Sequence, residues 1–529
     1  MELSFLNTIN KESELNFPEK PTATPPCGPV TGIHKKGVTT YKGIPYAKPP
    51  VGNLRFKPPV PIEPWLENRD CFEFGPKSLQ FGGILADIPP LYSTEGKSED
   101  CLFLNVWTPS THKEDLFPVY VYIHGGGFAT GSGGELMFDG TKITNRGVVV
   151  VTLNYRLGAL GFLATKAMMA ENKTTGNNGL LDQILALKWV QENILAFGGD
   201  PDNVTLGGES AGAFSVTALL LSPFAKGLFR RAVIESGAIL SIGAFSTQTK
   251  GNLDKAIAMG EEFSGIFGID DTPEGLEKLR EIPAEAMAYL SMIKADQLLP
   301  LRFSFWPVYD GVVLPKDPLK ALREGDFNPV DLLIGYNTNE SSLFIKNNAN
   351  IGSYQLMAYE IFGAKNVPTI YEHFPIEDDG KVEKQIEEIF NYTGFTLGMR
   401  IFADIYSAAG LHVYFYNFNY DPAILKIVGL DTAHSLELPF VFGNAISQLK
   451  MSRISILSDQ MQTHWTNFMK TGDPNLGQIY KNMIEWPLYT KPERNLMVFD
   501  RTLSNSPMPH TENLDLIQSL LFGDKPYYL

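Results

Sequence analysis

The stretch VTLGGESAGAFSVTALLLS, residues 204–222, decides the fold, because an apolar strand runs through Gly208-Glu209-Ser210-Ala211-Gly212 into a helix-forming segment. A sharp strand-to-helix turn crowds the backbone, so it needs small residues on both sides. The turn would lift Ser210 above a sheet and aim its hydroxyl at the helix N-terminus, where free N–H groups favour negative charge. We therefore predict that Ser210 is a nucleophile; the simpler alternative is a glycine-rich turn whose serine only caps the helix.

Further apolar runs flank this stretch and suit the buried strands of a parallel sheet. They are VYVYI (119–123), VVVVTLNY (148–155), RRAVIES (230–236), DLLIGY (331–336) and HVYFYNF (412–418). Helical patterns at 179–197 and 458–472 accompany them, and 240–330 reads as mostly helical. Alternating strands and helices predict an α/β fold with a buried parallel sheet covered by helices.

The composition and charge of the chain limit its domain organisation and the kinds of partner that it can bind. The chain has 529 residues, of which 44% are hydrophobic, and no Gly/Ser-rich linker divides it, so we expect an N-terminal arm (1–27) and one domain (28–529). The net charge of −15 repels phosphate backbones and argues against a nucleic-acid partner. No apolar run has the length of a membrane span, and the N-terminus lacks the pattern of a signal peptide. Because no H-E-x-x-H, P-loop or C-x-x-C occurs, we expect no metal and no cofactor.

A second glycine-rich segment, His124-Gly125-Gly126-Gly127-Phe128, follows the predicted strand at 119–123. Glycines let main-chain N–H groups approach a reacting carbonyl without interference from a Cβ atom. Gly126 and Gly127, together with Ala211 after the serine, would then supply three donors to an oxyanion hole, where removing one donor costs about 3–4 kcal/mol. The alternative is a flexible turn.

A serine nucleophile needs a base, and the base needs an orienting carboxylate; after a nucleophile elbow the chain order is serine, acid, histidine. Five histidines follow Ser210, namely His373, His412, His434, His464 and His510. We favour His434, because its loop follows the strand at 412–418, and Glu340, because it directly follows the strand at 331–336. Asp310 is the competing carboxylate, although its D-G context favours a turn.

Longer motifs carry a resemblance to a known family. They are YKGIPYAKPPVGNLRF (41–56), SEDCLFLNVWTP (98–109), HGGGF (124–128), LNYRLG (153–158), GLLDQ (179–183), FGGDPDNVTLGGESAG (197–212), NTNES (337–341) and HSLELPFVFG (434–443). From about residue 28 to about 500 the chain resembles the type-B carboxylesterase and cholinesterase family of α/β-hydrolases. The resemblance implies an α/β-hydrolase fold, with a large, mixed, mostly parallel central sheet covered by helices on both faces. It also implies a triad of Ser210, Glu340 and His434, and an oxyanion hole from Gly126, Gly127 and Ala211.

The resemblance also implies structural pairs. It implies a Cys71–Cys101 disulfide beside the site entrance, and ion pairs Arg156–Asp182 and Arg55–Glu99. Cys27 has no family partner. A disulfide would imply an oxidising compartment, whereas the absence of a signal peptide points to the cytoplasm, so the compartment stays open.

Substrate choice follows from the same resemblance. Leu301 and Phe303 match family positions that shape the acyl pocket, where a leucine and a phenylalanine suit a short-to-medium acyl group; the alternative is that both are ordinary core residues. Glu209, which precedes the serine, would help to place the cationic intermediate or a water; the alternative is a buried carboxylate with satisfied hydrogen bonds. Cholinesterases hold the choline cation on a tryptophan in the Cys–Cys loop, but no Trp stands between Cys71 and Cys101 here. We therefore predict a serine carboxylesterase that hydrolyses small esters with short-to-medium acyl groups and is not choline-specific. One alternative is a non-catalytic adhesion or storage protein, although such members of the family usually lack a triad residue. The other alternative is a triacylglycerol lipase.

Overall fold

The centre of the protein is an eleven-stranded sheet, which we describe from a computed structural model. The described residues are 20–82, 95–110, 114–241, 252–291, 305–345, 349–376, 379–421, 432–444 and 452–523. In chain order the strands are β1 (Ile33–Lys35), β2 (Val38–Pro45), β3 (Phe103–Thr108), β4 (Phe117–Ile123), β5 (Val149–Leu153), β6 (Gly199–Glu209), β7 (Arg231–Glu235), β8 (Asp331–Asn337), β9 (Val413–Phe418), β10 (Asn495–Phe499) and β11 (Ser504–Pro507).

The order across the sheet is β11-β10-β9-β8-β7-β6-β4-β5-β3-β2-β1. The strands from β10 to β5 in this order pair in parallel. Antiparallel pairs complete the two edges, with β11 on one side and β3, β2 and β1 on the other. The predicted α/β fold with a mixed, mostly parallel sheet is therefore confirmed, and the carboxyl ends of the parallel strands meet along one edge.

Helices connect and cover these strands. They are α1 (Thr141–Thr144), α2 (Gly158–Phe162), α3 (Lys166–Asn172), α4 (Asn178–Asn193), α5 (Ala211–Leu221), α6 (Leu253–Gly265), α7 (Pro273–Glu281), α8 (Ala284–Leu290), α9 (Pro318–Arg323), α10 (Ile351–His373), α11 (Val382–Asn391), α12 (Leu397–Ala408), α13 (Leu438–Phe442), α14 (Ser452–Thr471) and α15 (Thr511–Phe522). The helices predicted at 179–197 and 458–472 correspond to α4 and α14, and the described part of 240–330 is helical in α6 to α9. Within the described residues, no helix is long and apolar enough to cross a membrane.

The sheet separates two apolar cores. Along β4, Val119, Val121 and Ile123 pack into one core, and Tyr120 and Tyr122 pack into the other. Side chains alternate between the two faces of a strand, so a strand covered on both sides is apolar throughout its length. This burial explains why the continuous apolar runs predicted the strands.

The end of the predicted N-terminal arm pairs with the body of the protein. Thr22–Ala23 lies antiparallel to Val30–Thr31, which in turn pairs in parallel with Arg69–Asp70. The Cys27 N–H donates to Asn193 Oδ1 of α4 at 3.0 Å. The domain boundary at residue 28 stays a prediction.

The structure corrects the Cys71–Cys101 disulfide, because both residues are free, buried thiols, as is Cys27. The Cys101 thiol shares a hydrogen bond with the Ser78 side chain, whereas Cys71 lies near Arg69 and Cys27. The two thiols therefore face different neighbours. Burial raises the pKa of Cys71 to about 12, so this thiol is protonated at neutral pH.

Both predicted ion pairs are confirmed. Arg156 and Asp182 form a bidentate pair, with Nη2–Oδ1 at 2.7 Å and Nε–Oδ2 at 2.8 Å, and both side chains are buried. Arg55 pairs with Glu99 at 2.6 Å and also donates to the carbonyl of Arg280. These contacts join segments far apart in the chain.

We expect Asp182→Ala to destabilise the fold by about 3–5 kcal/mol, because it leaves the Arg156 guanidinium buried without its counter-charge. Denaturant or thermal unfolding measures the effect. Glu261→Ala is the control, because Glu261 pairs with Lys166 at the surface and its loss should not change stability resolvably. Equal stabilities of the two variants would contradict the expectation.

Candidate active site

Ser210 stands at a tight turn between β6 and α5. Its backbone has φ 54° and ψ −124°, a conformation that side-chain-bearing residues rarely adopt. A Cβ on Gly208 would lie 2.5 Å from the Gly212 carbonyl carbon, and a Cβ on Gly212 would lie 2.0 Å from the Ile123 oxygen. The small residues predicted on both sides of the serine are therefore sterically required.

The loop after β4 lies against this turn. A Cβ on Gly125 would lie 3.1 Å from Ser210 Cβ, and Gly126 and Gly127 have φ of 102° and 64°. Within the described part of the chain, the N–H groups of Gly126, Gly127 and Ala211 donate to no protein acceptor. Three free donors thus lie in the two segments that meet at Ser210.

His124 supports this loop from beneath. Its ring stacks on Tyr155 with centroids 4.5 Å apart, and Nδ1 lies 2.8 Å from the Gly125 carbonyl oxygen. The Tyr155 hydroxyl donates to the His124 carbonyl at 3.0 Å. Burial lowers the pKa of His124 to about 4, so the ring is neutral at neutral pH and holds the loop as a hydrogen-bond donor.

His434 meets two carboxylates beside the turn. Its Nδ1 lies 2.6 Å from Glu340 Oε2, and Glu340 Oε1 accepts the Asn337 N–H at 2.7 Å. Its Nε2 lies 3.1 Å from Oε1 of Glu209, the residue before Ser210, but makes no hydrogen bond within the described residues. The ring therefore has one nitrogen fixed on Glu340 and the other available next to the serine turn.

Opposing effects act on the protonation of this group. Burial lowers the pKa of His434, but the charges of Glu209 and Glu340 more than offset it, so the pKa is raised above 6.5. Burial raises the pKa of Glu209, and the nearby His434 and the Ser435 hydroxyl, which donates to Glu209 Oε1 at 2.6 Å, partly offset that rise. An imidazolium is thus stabilised at this position.

Two further buried carboxyl groups, which sequence reasoning missed, lie behind the site. Glu437 accepts hydrogen bonds from Asn337 Nδ2 and from Ser236 Oγ, and Glu235 accepts from Trp465 Nε1 at 3.0 Å. Burial raises the pKa of Glu235 to about 8 and that of Glu437 well above its usual value of 4.5. The sequence signal for this pair is Glu235 alone, an acidic residue at the end of the apolar strand β7.

The competing candidates make other contacts. His373 hydrogen-bonds a carbonyl of its own helix, His412 is exposed, His464 is buried against the Pro474 carbonyl, and His510 lies against a tyrosine ring. Asp310 Oδ1 accepts three successive N–H groups of residues 312–314, which is the turn that its sequence context favours. Of the predicted substrate-contacting residues, Glu209 lies in the site, and Leu301 and Phe303 lie outside the described residues.

One known family matches the chain over most of its length. The carboxylesterase family model matches residues 19–516. The chain belongs to the carboxylesterase family. The predicted resemblance, the α/β-hydrolase fold and the activity of a serine carboxylic ester hydrolase are thereby confirmed, and the substrate is a small ester.

This carboxylesterase is similar to curated relatives and solved structures along nearly its whole length. The para-nitrobenzyl esterase of Bacillus subtilis (strain 168) is 38% identical over 501 residues, which cover 91% of this chain and 95% of the relative. Carboxylesterase 1E of Mus musculus is 35% identical, covering 87% and 86%. A carboxylesterase structure from Geobacillus stearothermophilus superimposes with a TM-score of 0.78 at 34% identity, covering 94% of this chain and all (100%) of that one.

With His434 as the predicted base, we expect the acid limb of the kcat/KM profile to lie above pH 6.5, because a base works only when neutral and activity is lost as pH falls through its raised pKa. Glu209→Gln removes one charge that raises the His434 pKa, so the limb should move to lower pH. The measurement is p-nitrophenyl acetate hydrolysis from pH 5 to 9, with exposed Glu277→Gln as the control. A limb that stays in place in Glu209→Gln would contradict this assignment.

Proposed function

We propose that Ser210, His434 and Glu340 form the catalytic triad of this carboxylesterase, and that Gly126, Gly127 and Ala211 form its oxyanion hole. The buried hydrogen bond between His434 Nδ1 and Glu340 Oε2, 2.6 Å long and next to the serine turn, carries the proposal. The free N–H groups beside Ser210 support the oxyanion hole.

In the proposed mechanism, Ser210 Oγ attacks the ester carbonyl carbon while His434 Nε2 takes the hydroxyl proton. Glu340 keeps the Nδ1–H tautomer in place and stabilises the imidazolium that forms. The free N–H groups donate to the negative oxygen of the tetrahedral intermediate. His434 then protonates the departing alkoxide, and a water molecule repeats the sequence on the acyl-serine.

Glu209 has a supporting role in this proposal. Its carboxylate lies 3.1 Å from His434 Nε2, so it adds to the field that stabilises the imidazolium. It lies next to Ser210 in sequence and faces Gly125, with Oε2 3.0 Å from the position of a Cβ there. We therefore place it where it contacts the departing group or the attacking water.

We propose that the preferred substrates are uncharged esters rather than choline esters. The described phenylalanines near the predicted site entrance already carry lysine cations: Lys20 over Phe72 at 4.7 Å, Lys42 over Phe74 at 4.2 Å and Lys97 over Phe81 at 5.5 Å. An aromatic ring that already holds one cation attracts a second less strongly, because the first opposes it.

We also propose a preference for short-to-medium acyl groups. Trp306 packs edge-on against Phe128, which follows Gly127, and against Phe214 in the first turn of α5. The ring centroids are 4.9 and 5.1 Å apart, and all three side chains are buried. Bulky, close-packed side chains on this side of Ser210 leave less room for a long acyl chain.

The test is hydrolysis of p-nitrophenyl acetate, butyrate and decanoate by the wild type and by Ser210→Ala. We expect Ser210→Ala to lower kcat by at least about 10⁴-fold, and the wild type to favour acetate or butyrate over decanoate. Ser222→Ala is the matched control, because Ser222 is buried at the end of α5.

The same assay compares butyrylcholine with p-nitrophenyl butyrate. Wild-type turnover in Ser210→Ala would refute the triad. A strong preference for the choline ester would refute the proposed substrate class while leaving the triad intact.

A further inference from the structure

The segment that follows β4, residues 124–131, carries the proposed donors Gly126 and Gly127, and we call it the oxyanion loop. The side-chain amide of Gln80 both donates to and accepts from Gly131 at the end of this loop. Its Oε1 accepts the Gly131 N–H at 2.9 Å, and its Nε2 donates to the Gly131 carbonyl at 2.9 Å. Nε2 also donates to the Ser78 carbonyl at 3.0 Å. Gln80 is only 5% exposed, so water does not compete for these groups.

The loop needs this outside support, because its own bonds are few and its glycines are conformationally free. Inside it, the Gly126 carbonyl accepts the N–H groups of Ala129 and Thr130 at 3.1 and 3.0 Å. Gly126 and Gly131 have φ of 102° and 109°. Because glycines can adopt many backbone conformations, the loop alone does not fix the direction of the Gly126 and Gly127 N–H groups.

A series of contacts connects Gln80 with the proposed oxyanion-hole donors. Gly131 packs directly on the His124 ring, since a Cβ there would lie 2.4 Å from Nδ1. That same Nδ1 bonds the Gly125 carbonyl, whose peptide carries the Gly126 N–H. A shift of Gly131 therefore acts on the peptide that presents the first proposed oxyanion donor.

Gln80 is itself anchored. The short strands Lys77–Ser78 and Lys97–Ser98 pair in parallel, and Lys97 Nζ donates to the Gln80 carbonyl at 2.9 Å. Glu95, just before the second short strand, bonds the hydroxyl of Ser132, the residue after Gly131. Gln80 and Glu95 both belong to the segment beside the predicted site entrance, and they hydrogen-bond two successive residues, Gly131 and Ser132.

We propose that Gln80 is a positioning residue for the oxyanion hole: through Gly131 and His124 it holds the Gly126 and Gly127 N–H groups toward the substrate carbonyl. This inference rests on the proposed function, because it assigns a role relative to those donors. It concerns the transition state specifically, because only there does the carbonyl oxygen carry a full charge.

The test uses Gln80→Ala in the full chain, with p-nitrophenyl acetate as substrate and a trifluoromethyl ketone as inhibitor, whose adduct with the serine carries an oxyanion. Active sites are titrated so that rates refer to folded enzyme. We expect kcat to fall about 10- to 100-fold with KM nearly unchanged, and the inhibition constant of the ketone to rise by about the same factor. The matched control is Gln460→Ala on α14, because Gln460 is equally buried and its Nε2 also donates to two backbone carbonyls, those of Lys481 and Asn482. This variant should keep wild-type kcat and ketone affinity.

Gln80→Glu keeps the size of the side chain and an acceptor for the Gly131 N–H but loses both donated bonds, so we expect the same paired changes at intermediate size. If Gln80→Ala does not fold, Gln80→Glu decides the question by the same comparison. Wild-type kcat, or a lower kcat with unchanged ketone affinity, overturns the inference. Turnover by Ser210→Ala would instead overturn the proposed function, so the two failures are distinguishable.

Discussion

The strained backbone of Ser210, at φ 54° and ψ −124°, is the constraint on which the site depends. That conformation persists only because the surrounding chain over-determines it. The Ser210 N–H donates to the Glu235 carbonyl of β7, and the Ser210 carbonyl accepts from Phe214 of α5, both at 2.9 Å. Strand β4 approaches so closely that Gly212 has no space for a Cβ. The sheet thus holds the serine side chain above its carboxyl edge at a fixed angle.

Around this turn the protein buries four carboxyl groups, and only some of them carry a charge at neutral pH. Glu209, Glu235, Glu340 and Glu437 are all buried. Burial and the neighbouring carboxylates raise the pKa of Glu235 to about 8 and that of Glu437 well above 4.5, so these two groups are protonated at neutral pH, which limits the cost of burying all four. Hydrogen bonds from backbone and side-chain donors offset part of this cost, and the imidazole of His434 lies between two of the carboxylates. A cationic imidazolium is more stable between these two carboxylates than in water, and it is the species that the proposed mechanism forms at His434.

Much of this arrangement follows from sequence. The apolar runs predicted β4 to β9, because strands buried on both faces have no polar alternation, and strand ends located Glu340 and His434 at one edge. Helix α10 was not predicted, because Gly363, at φ 72°, and Pro368 interrupt its pattern. Gly363 does break the helix locally, since its backbone has φ 72° and ψ 158° and the helix kinks there, whereas Pro368 lies inside the part that continues to His373.

Other features depend on contacts that no local pattern encodes. The partner of Cys101 is Ser78 and not Cys71, because the direction in which a buried thiol points is set by packing. Gln80 meets Gly131 from 51 residues away, and Glu235 meets Trp465 from 230 residues away. Such pairs exist only once the sheet has brought their segments together.

The most direct measurement labels the enzyme with diethyl p-nitrophenyl phosphate, which reacts with an activated serine, and maps the adduct by mass spectrometry of tryptic peptides. We expect one diethylphosphoryl group on Ser210, formed at least about 100-fold more slowly in His434→Ala. Labelling of another residue, or an unchanged rate in His434→Ala, would contradict the claim that this imidazole activates this hydroxyl.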